Sequence, residues 1–187
     1  MEDYDLYKIG RDMSWEALLE AGIDELPVQL DRVAKVYKIQ VISYDKAIKL
    51  GMMNDKRANG KMFTSVIKGV KTVFVNNNIN DKGEVRYLIA VGIGRCILAK
   101  NPNFITKEVD YETKIFARDL LMPATVLHGL GVSSAADIAV LCNVSWKKAV
   151  SRETRMKELK DRGMFNQHPL EEKVYMLFEN FIDSRKK

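Results

Sequence analysis

Histidine is almost missing from this chain: among 187 residues there are two, His128 and His168, forty positions apart. A catalytic zinc site usually takes two or three imidazoles or thiolates at short spacing, and no such pair is present. Cysteine is as scarce, with only Cys96 and Cys142. That excludes a disulfide framework and fits a reducing cytosol. The bland reading of both is a small core residue. Long apolar runs are lacking too. The longest, Tyr87 to Ala99, is too short for a bilayer and holds Arg95. The opening MEDYDLYKIGRD is acidic and polar and reads as no secretory leader. The expectation is a cytoplasmic protein with no membrane partner.

What is present is an ordinary globular composition, 47% apolar and 29% charged, in a length that suits one core with appendages. The net charge of +5 permits an acidic partner without requiring one. Ser14 reads as the cap of a short helix ended by Gly22, and Pro27 as the first turn of the next. IQVISY at 39–44 alternates as a strand. After a polar stretch through Asn59 and Gly60, MFTSVI and KTVFVN flank Gly69 as an antiparallel hairpin. Polar residues 76–83 then lead into a helix, and nearly everything after residue 105 reads as helical. The plan is α+β.

The stretch YLIAVGIGRC, residues 87–96, carries two glycines in an apolar run. It lacks the third glycine of a dinucleotide loop and any Walker lysine. Apolar groups fall nearly all round a helix, so it predicts a buried central helix whose glycines admit a close neighbour.

RYLIAVGIGRCIL resembles the active-site helix of ImmA/IrrE-type metallopeptidases, which commonly reads like R-F-T-L-A-H-E-L-G-H-L-L. ETKIFARDLLMP, residues 112–123, resembles the same family's E-A-x-x-F-A-x-x-L-L-M-P. ELPVQLDRVAKVYKIQV and TVFVNNNI fit the order of its earlier elements, so the resemblance covers about residues 14–165. It implies a small antiparallel sheet on a gluzincin-like helical core. The departures matter more. In H-E-x-x-H the two histidines share a helix face and bind zinc, while the glutamate serves as general base. Here those positions are Val91, Gly92 and Arg95, and Glu112 alone matches the expected third ligand. The resemblance therefore implies a peptidase fold without peptidase chemistry, a pseudoenzyme with no metal and no cofactor. A salt bridge from Arg95 to Glu112 would fill the vacated site. An active hydrolase would need non-standard ligands, such as Cys96, Glu112, His128 and Cys142, which have no spacing signature.

ADIAVLCNVSWKKAVSR, residues 136–152, has the texture of a helix-turn-helix, with Asn143-Val144 as the turn and Ser145 as a cap. Trp146, Lys147, Lys148, Arg152 and Arg155 are the candidate surface for nucleic acid or a protein partner. In the tail, Leu170, Val174, Leu177, Phe178, Phe181 and Ile182 form an apolar stripe. It docks on its own domain, or it makes a homodimer or a partner-binding surface. The expected organisation is a degenerate peptidase-like domain over 1–127, a helix-turn-helix-like region over 128–165 and a C-terminal amphipathic helix over 166–187. The function expected of it is regulatory: stoichiometric binding to a transcriptional regulator of phage or mobile-element type. Direct DNA binding by segment 145–162 is the alternative.

Overall fold

A computed structural model describes residues 3–54, 60–99 and 110–186. The polar stretch through Asn59 and the start of the helical half at 105–109 lie outside them. Among the described residues there are three strands and ten helices, a mixed α+β architecture.

The first helix, α1 (Asp3–Glu20), is longer than its sequence suggests. Ser14 is no cap: it is buried inside the helix, and its hydroxyl donates to the Arg11 carbonyl at 2.6 Å. The polar opening is helical because α1 lies along α5 (Asp110–Leu121). The fit is close enough that a Cβ on Gly10 would strike the Glu112 carbonyl. Gly22, at φ +58°, ends the segment as expected. Pro27 follows a cis peptide and precedes the next helix, α2 (Leu30–Val36), rather than opening it. The N-cap there is Gln29.

Strand β1 (Gln40–Ser43) runs straight into α3 (Tyr44–Lys49), capped by the Ser43 hydroxyl. Strands β2 (Met62–Ile67) and β3 (Val70–Val75) form the expected hairpin, turning through Lys68 and Gly69, both at positive φ. The sheet order is β1-β3-β2, and β1 pairs with β3 in parallel, Val41 opposite Val73. The sheet is thus mixed, not purely antiparallel. A parallel pair needs a crossover, and α3 with β2 supplies it. The alternation of β3 sends Val73 to one face and Phe74 to the other. Phe74 stacks on Phe63 at 4.6 Å over a small cluster with Ile42, Tyr44 and Ala47. Val73 joins the main core beneath α4 (Lys82–Leu98).

Helix α4 is the central helix that its apolar pattern predicts, capped by the Asp81 carboxylate on the Glu84 amide at 3.0 Å. Its glycines each admit a particular neighbour. A Cβ on Gly92 would collide with the Val73 side chain, and one on Gly94 would sit 2.7 Å from the Phe116 ring. Gly83 alone meets backbone, at the Val144–Ser145 peptide.

Beyond α5 come α6 (Ala124–Gly129), α7 (Ala135–Cys142), α8 (Trp146–Asp161), α9 (Pro169–Leu177) and α10 (Glu179–Arg185). One apolar cluster runs from Trp15 and Leu18 through Ile93, Phe116 and Leu127 to Val174, Phe178 and Ile182. The three segments bounded in the sequence at 127 and 165 therefore share one core. The tail stripe is consumed within the chain. Val174, Phe178 and Ile182 are buried, and Tyr175 and Ile182 press on Gly129. Leu170, Leu177 and Phe181 are half-buried along the same stripe.

No helix among the described residues is long and apolar enough to cross a membrane.

Candidate functional site

Helix α4 and strand β2 bound a cleft of about 290 Å³ at the place where the sequence resemblance puts an active centre. Val91 and Arg95, four residues apart, lie on one helix face and both line it, as two zinc-binding imidazoles would have to do. Gly92 faces Val73 and the sheet, so it is not an open place awaiting a carboxylate: packing requires a glycine there.

Glu112 is buried but is not among the residues lining the cleft. The Arg95 guanidinium reaches Met62 Sδ at 4.0 Å, and no Arg95–Glu112 ion pair is found among the described residues. The expected salt bridge is overturned. The Glu112 backbone carbonyl lies against Gly10 of α1.

These residues do not fit a zinc ion. Valine offers no lone pair, and arginine stays cationic. The scattered set also fails to converge. No group of three or more histidines, cysteines, aspartates or glutamates comes together among the described residues. Cys96 and Cys142 are fully buried, and burial pushes both thiols up to about 12. His128 stacks on Phe165 at 3.9 Å, and His168 caps α9, its Nδ1 accepting from the Leu170 amide at 3.2 Å.

The cleft is instead cationic. Lys61, Arg95, Lys114 and Lys148 line it, with Glu84 the one acid among the described lining residues, 3.5 Å from Lys61. Lys148 Nζ sits 3.7 Å over the Tyr87 ring. Burial lowers the Lys148 pKa, and Lys147, Lys114 and Lys61 push it the same way, against Glu84. The Tyr87 hydroxyl, itself pushed up to about 12 by burial, donates to the Lys114 carbonyl at 3.3 Å.

The basic helical segment divides in a way that the sequence does not reveal. Helix α7 is capped by the Ser134 hydroxyl on the Asp137 amide and ends at Asn143 in the left-handed region, φ 51° and ψ 55°. Helix α8 follows within three residues, so two short-linked helices stand where the sequence places a turn. Ser145 stands at the N-cap, but its hydroxyl makes no capping bond and is buried without a partner.

Of the five candidate surface residues, Trp146 is 62% exposed and Lys147 is exposed beside it. Lys148 leans into the cleft. Arg152 is corrected as a surface residue: only 1% exposed, it donates through Nη1 to Asp119 Oδ1 at 2.7 Å and is absent from the exposed face of α8. Arg155 is held by Glu158 at 2.7 Å and by the Tyr7 hydroxyl at 3.1 Å.

Asp119 is the residue that sequence reading missed. It accepts from Arg118 Nε at 3.0 Å, Arg118 Nη2 at 2.7 Å and Arg152. Burial would raise its carboxyl, but the two guanidiniums outweigh that and hold it below its ordinary value. A lone aspartate in FARDLLMP gives no sequence signal that its partner lies on α8.

Compared with known proteins, the chain matches no family model, no curated protein and no solved structure.

Proposed function

We propose that this chain is a catalytically silent relative of the ImmA/IrrE-type peptidases that regulates by stoichiometric binding. The α4–β2 cleft grips an acidic segment of a transcriptional regulator. The observation that carries this reading is the cleft itself. Val91 and Arg95 occupy the ligand face of the helix, and Lys61, Lys114 and Lys148 surround it with positive charge. A cleft of that sign attracts carboxylates and steers their approach. Occupancy shields the regulator or sequesters it, with no bond broken.

The exposed face of α8 supports a protein partner as well. Trp146 and Val150, one turn apart, share that face and are both exposed. Aromatic anchors of this kind are enriched at protein interfaces. The tight turn at Asn143 favours the second reading, direct DNA binding by α7 and α8. Against it, Arg152 is buried, Lys157 is paired with Glu153 at 3.1 Å and Arg155 with Glu158.

The test is capture from the native host with and without nuclease, using the wild-type chain and a Lys61→Glu/Lys148→Glu variant. The expected result is a DNA-binding regulator retained at one-to-one stoichiometry after nuclease and lost with the charge-reversed chain. Recovery of nucleic acid alone would overturn the reading.

A further inference from the structure

A second cavity, of about 310 Å³, opens between α1, α8 and the start of α9 and shares no lining residue with the α4–β2 cleft. Its volume lies at the low end of the range for small-molecule sites. Arg152 and Asp119 lie buried in its wall, while Tyr4 and Arg162 are exposed.

Hydrogen bonding in this wall is incomplete on the donor side. Asp119 is bonded to two guanidiniums, the half-buried Arg118 and the buried Arg152. Arg152 spends Nη1 on it, and its Nε is buried with no hydrogen-bond partner. The Nε of Arg155, whose two amines go to Glu158 and Tyr7, is likewise buried without one. A buried donor left unmade costs about 1–3 kcal/mol, so two in one cavity call for an acceptor. The Nε edge of a guanidinium, with the adjoining amine, is the edge that holds a carboxylate or phosphate by two parallel bonds.

Charge and shape agree with that. Arg11, Arg152, Arg155 and Arg162 line the cavity against two carboxylates, Asp119 and Glu171. Burial raises the Glu171 pKa, toward its neutral form. Trp15 adds a buried aromatic wall, tilted against His168 at 5.2 Å and covered on one face by the Arg11 guanidinium at 4.8 Å. Leu159 and Ala124 complete an apolar side.

The geometry points to a binding site for a small aromatic oxyanion, one planar ring bearing a single phosphate or carboxylate. The oxyanion sits on the Nε edge of Arg152 and the ring lies on the apolar side made by Leu159, Ala124 and the edge of Trp15. Because Arg152 and Arg155 both belong to α8, an occupant also ties that helix to α1.

Tryptophan fluorescence reads this directly, since the chain's two tryptophans are Trp15 and Trp146. In a Trp146→Phe background Trp15 reports alone, and the protein is titrated with phenyl phosphate, benzoate, inorganic phosphate and phenol. The expected result is a saturable change with phenyl phosphate or benzoate, whichever headgroup the site prefers. Arg152→Met, losing a charge-assisted bond, should bind about tenfold to a hundredfold more weakly. Should Arg152→Met fail to fold, Arg162→Glu on the exposed rim decides, with an expected weakening of about tenfold. No saturable change with either aromatic anion in folded wild-type protein would overturn the site. So would inorganic phosphate binding as tightly as phenyl phosphate, or unchanged affinity in the folded arginine variants.

Discussion

Arg152 Nη1 donates to Asp119 Oδ1 at 2.7 Å across 33 residues of sequence, and both side chains are out of water. This pair removes the central cation of a supposed recognition helix from the surface and uses it to lock α8 onto α5. Its two halves are not equivalent. Asp119→Asn leaves the buried Arg152, and the half-buried Arg118, without their anion, and removing one partner of a buried pair costs about 3–5 kcal/mol. Arg152→Met leaves Asp119 still held twice by Arg118, so the loss should be nearer 1–3 kcal/mol. Urea unfolding of the two variants checks this, and equal losses would refute the asymmetry.

The same aspartate sets an acid limit. Its pKa is lower in the folded chain than its ordinary 3.8. A lowered carboxyl contributes stability that is present above the unfolded value and lost as pH falls through the folded one. Glu171 has the opposite sign: burial raises it above 4.5, so its contribution is lost as pH climbs past that value. Melting temperature followed from pH 7 down to about 2 should show Asp119→Asn flattening the limb below 4. Glu171→Gln should gain on the wild type at neutral pH instead.

Gly92 and Val73 should behave as one unit. Gly92→Ala overpacks the helix–sheet contact, at a cost of about 1–3 kcal/mol. Adding Val73→Ala removes the obstacle, so the double variant should be less damaged than the sum of the singles, by about 0.5–3 kcal/mol. Strict additivity in a double-mutant cycle would deny the contact.

Neither thiol should react with a disulfide reagent at pH 8 in the native chain, because Cys96 and Cys142 are buried and titrate near 12. Both should react at once in denaturant. Rapid native labelling of either would contradict the burial.

Trp146→Ala with Lys147→Ala should leave stability within about 0.5 kcal/mol, as exposed positions do, while abolishing capture of a protein partner. Arg152 is the wrong residue for such a capture experiment, because it is buried against Asp119 and offers a protein partner no surface.

The order of elements was legible from pattern alone. The alternation in MFTSVI and KTVFVN and the all-round apolar surface of residues 87–98 are local signals, and strands and helix follow. The face carrying Val91 and Arg95 was equally plain, since helical spacing decides it. What sequence hid were tertiary outcomes. The parallel β1–β3 pairing depends on where α3 sends the chain. Arg152 reads as a surface cation because nothing near it in sequence supplies the carboxylate, which waits on another helix. Ser14 reads as a cap because the helical run Trp15-Glu16-Ala17-Leu18-Leu19 follows it, yet packing against α5 keeps eleven earlier residues helical.

Gly83 gives the molecule a mechanical property. With no side chain between them, the first turn of α4 rests on the Val144–Ser145 peptide, backbone on backbone. Side chains can swivel to absorb a nudge, whereas two peptide planes in contact behave as a hard stop. The helix that walls the basic cleft is therefore butted against the hinge from which Trp146 projects. Whatever wedges into one end is felt at the other as a shove.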